Sequence, residues 1–170
     1  MFDTSPVGTY VVVSDMASRS TPGYVCPLTL QLIGPRSWTD VPAVLGYSPT
    51  DPYAVQISFG EVGTTADGDP SPAERGISWL LGRELLRSGL DRPSGEGDVR
   101  IWPSHSAADV LFLHLQAPSG EALFELSRGT VAAFLRQADA MVPPGTEGSM
   151  LAIDDELAAL LFNGGADSGR

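Results

Sequence analysis

Gly95-Glu96-Gly97-Asp98-Val99-Arg100-Ile101-Trp102-Pro103 reads as a tight turn, a short strand and a stop. Gly95 and Gly97 permit the backbone angles that a tight turn needs. Val99 and Ile101 fall on one face of the strand; Asp98, Arg100 and Trp102 fall on the other. Pro103 has no N–H for a ladder, so the strand ends there or lies at a sheet edge. An Arg and a Trp on one strand face suit either a stacked structural pair or a partner-binding spot. Packing is the commoner fate of a strand aromatic.

Working outward toward the N-terminus, Arg83 to Leu90 has a short helical pattern, with Leu86 and Leu90 at i, i+4 and Gly89 as its stop. Arg83 and Arg87 lie on another side of that turn. Ile77-Ser78-Trp79-Leu80-Leu81 is a strand candidate. Gly60 to Arg75 is acidic and rich in Gly, Thr and Pro, which predicts a long mobile loop. Before it, Tyr53, Val55, Ile57 and Phe59 alternate with Ala54, Gln56 and Ser58 as a half-buried strand should. Trp38 to Leu45 contains Pro42 and is expected to be a short edge strand. Leu28, Leu30 and Leu32 mark another strand, closed by Gly34-Pro35. Residues 1–24 form a flexible or loosely docked leader in which Tyr10-Val11-Val12-Val13 is a weak strand candidate.

Working outward toward the C-terminus, Val110 to Leu115 is apolar on both faces, which predicts a mid-sheet strand covered on both sides. Pro118-Ser119-Gly120 turns the chain into a partner strand, Ala122 to Leu126. Ser127 or Thr130 then caps a helix whose face is Val131, Phe134, Leu135, Ala138, Met141 and Val142. Pro143-Pro144-Gly145 stops it. A last helix opens at Asp154-Asp155-Glu156 and carries Leu157, Leu160 and Leu161; residues 163–170 are a disordered tail. Strands joined by tight turns and interrupted by few helices predict an α+β domain of largely antiparallel sheets with packed helices, spanning residues 25–162.

Charge narrows the function. The chain of 170 residues has a formal net charge of −11, and all ten of its cations are Arg. Nucleic-acid binding rests on clustered cations that displace counterions, so nucleic acid is an unfavoured partner. The same balance disfavours an anionic membrane surface. No run approaches a bilayer span, and no signal-peptide pattern opens the chain; direct membrane insertion is not expected and a cytoplasmic location is. Cys26 stands alone among apolar neighbours and reads as a small buried hydrophobe.

No catalytic, cofactor or metal constellation emerges. His105 and His114 do not make a ligand pair at helical spacing. Ser104, His105 and Asp109 hold the letters of a triad, but a triad converges from separate supports. Gly95-x-Gly97 enters a strand rather than a helix and has no following Lys, unlike a phosphate loop. Asp154, Asp155 and Glu156 read as a helix N-terminus rather than as metal ligands.

Several blocks, taken in order, carry a resemblance. They are Tyr47 with Asp51-Pro52-Tyr53-Ala54-Val55, Trp79 with Arg83-Glu84-Leu85-Leu86, and the Gly95–Pro103 stretch. Gly120-Glu121-Ala122-Leu123, Phe134-Leu135-Arg136, Val142-Pro143-Pro144-Gly145-Thr146-Glu147 and Glu156-Leu157 follow. From about Leu45 to Leu161 the chain resembles the SsgA-like proteins, an actinomycete family tied to sporulation and cell division. The resemblance implies a Whirly-like fold, a homotrimer and a non-enzymatic role. It also implies a partner at the cell septum, the tubulin-like division protein FtsZ or another septal factor. The leader at Met1 to Tyr24 and the length of Gly60 to Arg75 depart from the family pattern. Single-stranded nucleic-acid binding is the alternative that the Whirly-like fold raises. The expected partner-interface groups are exposed side chains at Arg100 and Trp102, with Arg83, because Arg and Trp are over-represented in binding hot spots.

Overall fold

A computed structural model describes residues 23–60, 62–64, 70–72 and 77–150. Its strands are β1 (Tyr24–Ile33), β2 (Trp38–Tyr47), β3 (Ala54–Phe59), β4 (Val62–Thr64), β5 (Pro70–Pro72), β6 (Ile77–Gly82), β7 (Val99–Pro103), β8 (Val110–Ala117) and β9 (Gly120–Ser127). Its helices are α1 (Arg83–Gly89), α2 (Arg128–Met141) and α3 (Glu147–Met150). Seven strands form one antiparallel sheet in the order β6-β3-β2-β1-β9-β8-β7, and β4 pairs with β5 as a separate ladder. The class is α+β, as the strand and helix pattern predicts.

The sheet is curled. Phe59 of β3 and Phe124 of β9 stack with ring centroids 5.0 Å apart, although β2 and β1 lie between their strands. In a flat sheet three strand spacings would separate them by about 14 Å. Only a curled sheet lets both rings point inward and meet. The concave face carries the period-2 apolar residues: Leu30, Leu45, Val55, Ile57, Leu81, Val99, Ile101, Leu111, Leu113 and Leu126 are buried there. Val131, Phe134, Leu135 and Ala138 of α2 join this core, and Tyr24 packs on Phe134 at 5.5 Å. Each of these larger side chains is stabilised by about 1.5–3 kcal/mol on leaving water, and that makes the strand register strict.

Local details bear out much of the pattern. Gly95 and Gly97 have φ of 97° and 78°, as a tight turn before β7 requires. β7 ends at Pro103 and is a sheet edge. Ser127 is the cap of α2, its Oγ accepting from the Thr130 N–H at 3.1 Å.

Three expectations are corrected. The strand at Trp38 to Leu45 is not an edge: β2 runs ten residues between β1 and β3. Pro42 is tolerated because β3 pairs only from Ala43 onward, leaving the first half of β2 with one neighbour. The stretch Gly60 to Arg75 is not wholly loop. Val62–Thr64 and Pro70–Pro72 pair antiparallel within it, a two-stranded ladder in which strand prolines are at home. β8 is interior to the sheet, but only one of its faces is fully covered: Leu111, Leu113 and Leu115 are buried, whereas Val110, Phe112 and His114 are half-exposed. Gly89 ends α1, as expected. A Cβ at Gly89 would stand 2.3 Å from Ile101 Cγ2, so glycine is there to let α1 approach β7. The leader strand candidate at Tyr10–Val13, the helix at Asp154 and the tail lie outside the described residues.

Candidate functional site

The convex face follows from the same alternation. Along β7 the side chains of Arg100 and Trp102 point away from the helices, and the register places His114 opposite Arg100 and Phe112 opposite Trp102. Trp102 and Phe112 stack at 5.8 Å with their planes 30° apart. An aromatic pair of this kind adds about 0.5–1.5 kcal/mol beyond its area. Trp102 therefore stacks on an aromatic ring across the strand rather than on Arg100, which remains exposed beside it.

Around this pair the face is amphipathic. Val110, Leu123 and Ile33 are half-buried on it. His114 Nε2 lies 3.1 Å from Glu121 Oε2. Glu125 stands opposite both Phe112 and Gln31, and the Gln31 amide hydrogen-bonds Asp40. At its far end Trp38 is 60% exposed. A half-buried aromatic and aliphatic centre ringed by charged and amide groups is the make-up of a protein-binding patch.

Arg83 is not part of that patch. Expected among the exposed groups, it is instead 3% exposed, inside the opposite end of the molecule. Its Nη1 donates to the Tyr47 hydroxyl at 2.9 Å and to the Val142 carbonyl at 2.8 Å. Its Nη2 pairs with Glu147. The Tyr47 hydroxyl donates in turn to the Pro52 carbonyl at 3.2 Å. Arg87, one turn on, makes a two-pronged pair with Asp139 at 2.8 and 2.6 Å. These contacts tie α1 to β2, α2 and α3.

The electrostatics agree with a structural role. Burial pushes the Tyr47 hydroxyl up in pKa, against the opposing pull of Arg83. Glu147 is held below the ordinary carboxylate range by its own backbone N–H and then by the Arg83 guanidinium. The hydrogen bond from Arg87 to Asp139 raises the Arg87 pKa.

The remaining candidates resolve into scaffold. Ser104 Oγ accepts from the Ser106 and Ala107 N–H groups, an ordinary turn. His105 is exposed in that turn, not on a strand. Asp109 serves the N-terminus of α2: its Oδ1 accepts from the Gly129 N–H at 2.6 Å and its Oδ2 from the Ser127 hydroxyl at 2.8 Å. Those two bonds, Gly129 first, hold its carboxyl below the ordinary range. Cys26 is half-buried, and burial raises its thiol pKa. Among the described residues no group of three or more His, Cys, Asp or Glu is placed to hold a metal ion. No described helix is long and apolar enough to cross a membrane.

The sequence names Arg100 and Trp102 as partner-interface candidates, and the structure sets Phe112, His114, Val110 and Leu123 on the same face as these two. The signal was there: Val110, Phe112 and His114 share one parity in β8.

Residues 41–147 match the family model described as Streptomyces sporulation and cell division protein, SsgA. The sporulation-specific cell division protein SsgB of Streptomyces coelicolor is 41% identical over 138 residues, covering 80% of this chain and 93% of the relative. SsgB of Frankia casuarinae is 39% identical over 139 residues, covering 81% and 90%. A solved SsgA-like sporulation-specific cell division protein from Thermobifida fusca superposes with a TM-score of 0.65 at 36% identity, covering 85% of this chain and 98% of that one. A second solved chain, from work relating SsgB mutations to longitudinal cell division during sporulation of Streptomyces coelicolor, gives a TM-score of 0.63 at 41% identity. It covers 75% of this chain and 94% of its own length.

Proposed function

Because this chain belongs to the SsgA family of sporulation and cell division proteins, we propose that it is a binding factor that positions septal machinery through protein–protein contacts. Its relatives carry the names of cell-division proteins and none of an enzyme. The match over residues 41–147 is the observation that carries the cell-division role. The finer reading is a Whirly-like homotrimer acting at the septum on FtsZ or another septal factor. The convex patch at Arg100, Trp102 and Phe112 supports a binding role, since it joins an exposed cation to a stacked aromatic pair.

The test is light scattering of the purified protein, alone and mixed with actinomycete FtsZ. A trimer that changes FtsZ assembly is expected, and Arg100→Ala with Trp102→Ala should remove the change while leaving the trimer. A protein that leaves FtsZ assembly untouched overturns the FtsZ reading, and a monomer overturns the trimer. Single-stranded nucleic acid is the second reading, favoured only by the Trp102–Phe112 stack beside Arg100. Asp40, Glu121 and Glu125 on the same face oppose it. Salt-dependent retardation of single-stranded DNA would restore it.

A further inference from the structure

The two edges of the seven-stranded sheet are finished differently. At β7 the outward peptide groups are those of Val99, Ile101 and Pro103, because Asp98 and Ser104 bond to β8 through Gln116 and Val110. Ile101 is bridged to Ser94 by two bonds of 2.8 and 2.9 Å, and Pro103 has no N–H. The Val99 carbonyl lies under the turn, 2.3 Å from where a Cβ on Gly95 would sit. This edge is closed.

The β6 edge is built the other way. The Arg83 N–H donates to the Tyr53 carbonyl at 2.7 Å. The register then turns the peptide groups of Leu81, Trp79 and Ile77 toward β3 and those of Gly82, Leu80 and Ser78 outward. Among the described residues no backbone group pairs with those three. β6 contains no Pro and no charge, the usual protections of an exposed edge. Ile77 on it is 64% exposed.

We propose that the outer edge of β6 is a strand-addition site for an extended, neutral or basic segment of a partner protein. The proposal rests on the partner-binding reading above and gives that binding a second surface and a mode. An antiparallel strand would form bonded pairs with Ser78, Leu80 and Gly82. Gly82 and its neighbour Ala54 leave room on the convex side for a large side chain opposite them. The charge favours a basic start to that segment. Asp51 stands exposed at the Gly82 end, beside Glu84, which pairs with Arg87, while among the described residues the exposed arginines Arg36, Arg92, Arg100 and Arg136 all lie off β3, β6 and the turn before β3.

The experiment pans the full chain against a phage-displayed library of random six-residue peptides, the length of β6, beside Leu80→Pro. Proline at 80 removes only an outward N–H, so the β3 ladder survives it. Wild type should enrich alternating apolar peptides with a basic start that Leu80→Pro does not hold. The best of them should protect the Ser78, Leu80 and Gly82 amides from exchange. N-methylating its β6-facing amides should weaken it at least about tenfold, which decides the matter even if Leu80→Pro misfolds. Arg100→Ala and Trp102→Ala should leave peptide binding unchanged. If wild type enriches nothing over Leu80→Pro, or N-methylation has no effect, the strand-addition site is wrong. Peptide capture by a protein that ignores FtsZ would sink the FtsZ reading and keep this one. FtsZ binding lost in Trp102→Ala, with no peptide captured at β6, would do the reverse.

Discussion

The two faces of one sheet treat an arginine in opposite ways. On the concave side Arg83 is enclosed, with Tyr47, Val142, Glu147 and Asp139 around its guanidinium. On the convex side Arg100 stands in solvent beside a stacked tryptophan. The first is bound so completely that it has nothing left to offer a partner. The second contributes little to the fold and keeps its donors available. Residue type alone does not mark a binding hot spot; the face it is put on does.

The sharpest way to break this contrast is Arg83→Ala. It leaves Glu147 and the Val142 carbonyl without their partner, while Asp139 keeps Arg87, and a buried pair broken on one side costs about 3–5 kcal/mol. Urea denaturation should show that loss; a change under about 1 kcal/mol would mean the cluster is loosely held. Gly89→Ala comes next. Its Cβ meets Ile101 at 2.3 Å, and overpacking of this kind costs about 1–3 kcal/mol. Calorimetry should show a lower melting temperature without any change in partner binding.

Ser127→Ala removes the α2 cap and should cost about 1 kcal/mol. The carboxylates extend this to pH. Asp109 and Glu147 both titrate below the ordinary range in the folded chain. Their contribution is complete above the unfolded carboxylate pKa and is lost as pH falls through the depressed folded values. Denaturation midpoints followed from neutral to acid pH should fall on that acid limb, and less steeply in Asp109→Asn. Arg100→Ala closes the series, with a stability change within about 0.5 kcal/mol. Circular dichroism melts should barely move while partner binding falls. A large destabilisation would erase the distinction between the faces.

What the sequence disclosed was local. The period-2 runs at Leu28–Leu32 and Tyr53–Phe59, the glycines before Val99 and the Pro118-Ser119-Gly120 turn each act over a few residues, so their outcome is legible in the chain. Arg83 lies inside, against expectation, because its partners Tyr47, Val142 and Glu147 come from 36, 59 and 64 residues away. Nothing near Arg83 announces them. Gly89 ends its helix as expected, but its close approach to Ile101 is hidden for the same reason, since Ile101 comes from the next strand. The interior place of β2 was hidden by Pro42, whose cost disappears once β3 stops short of it. On the convex face, the doubly apolar pattern of Val110 to Leu115 predicts cover on both sides, and Phe112 is only half-buried. Apolar on both sides can also mean one side reserved for another molecule.

The closed edge at β7 limits what the open one at β6 can start. A sheet with two open edges can add copy after copy head to tail and grow into a fibre. Here Ser94 and Pro103 cap one end, so a strand that joins β6 finds no matching edge on the far side to continue from. Growth through the sheet stops after one addition, so strand exchange at β6 ends in a closed complex rather than a fibre.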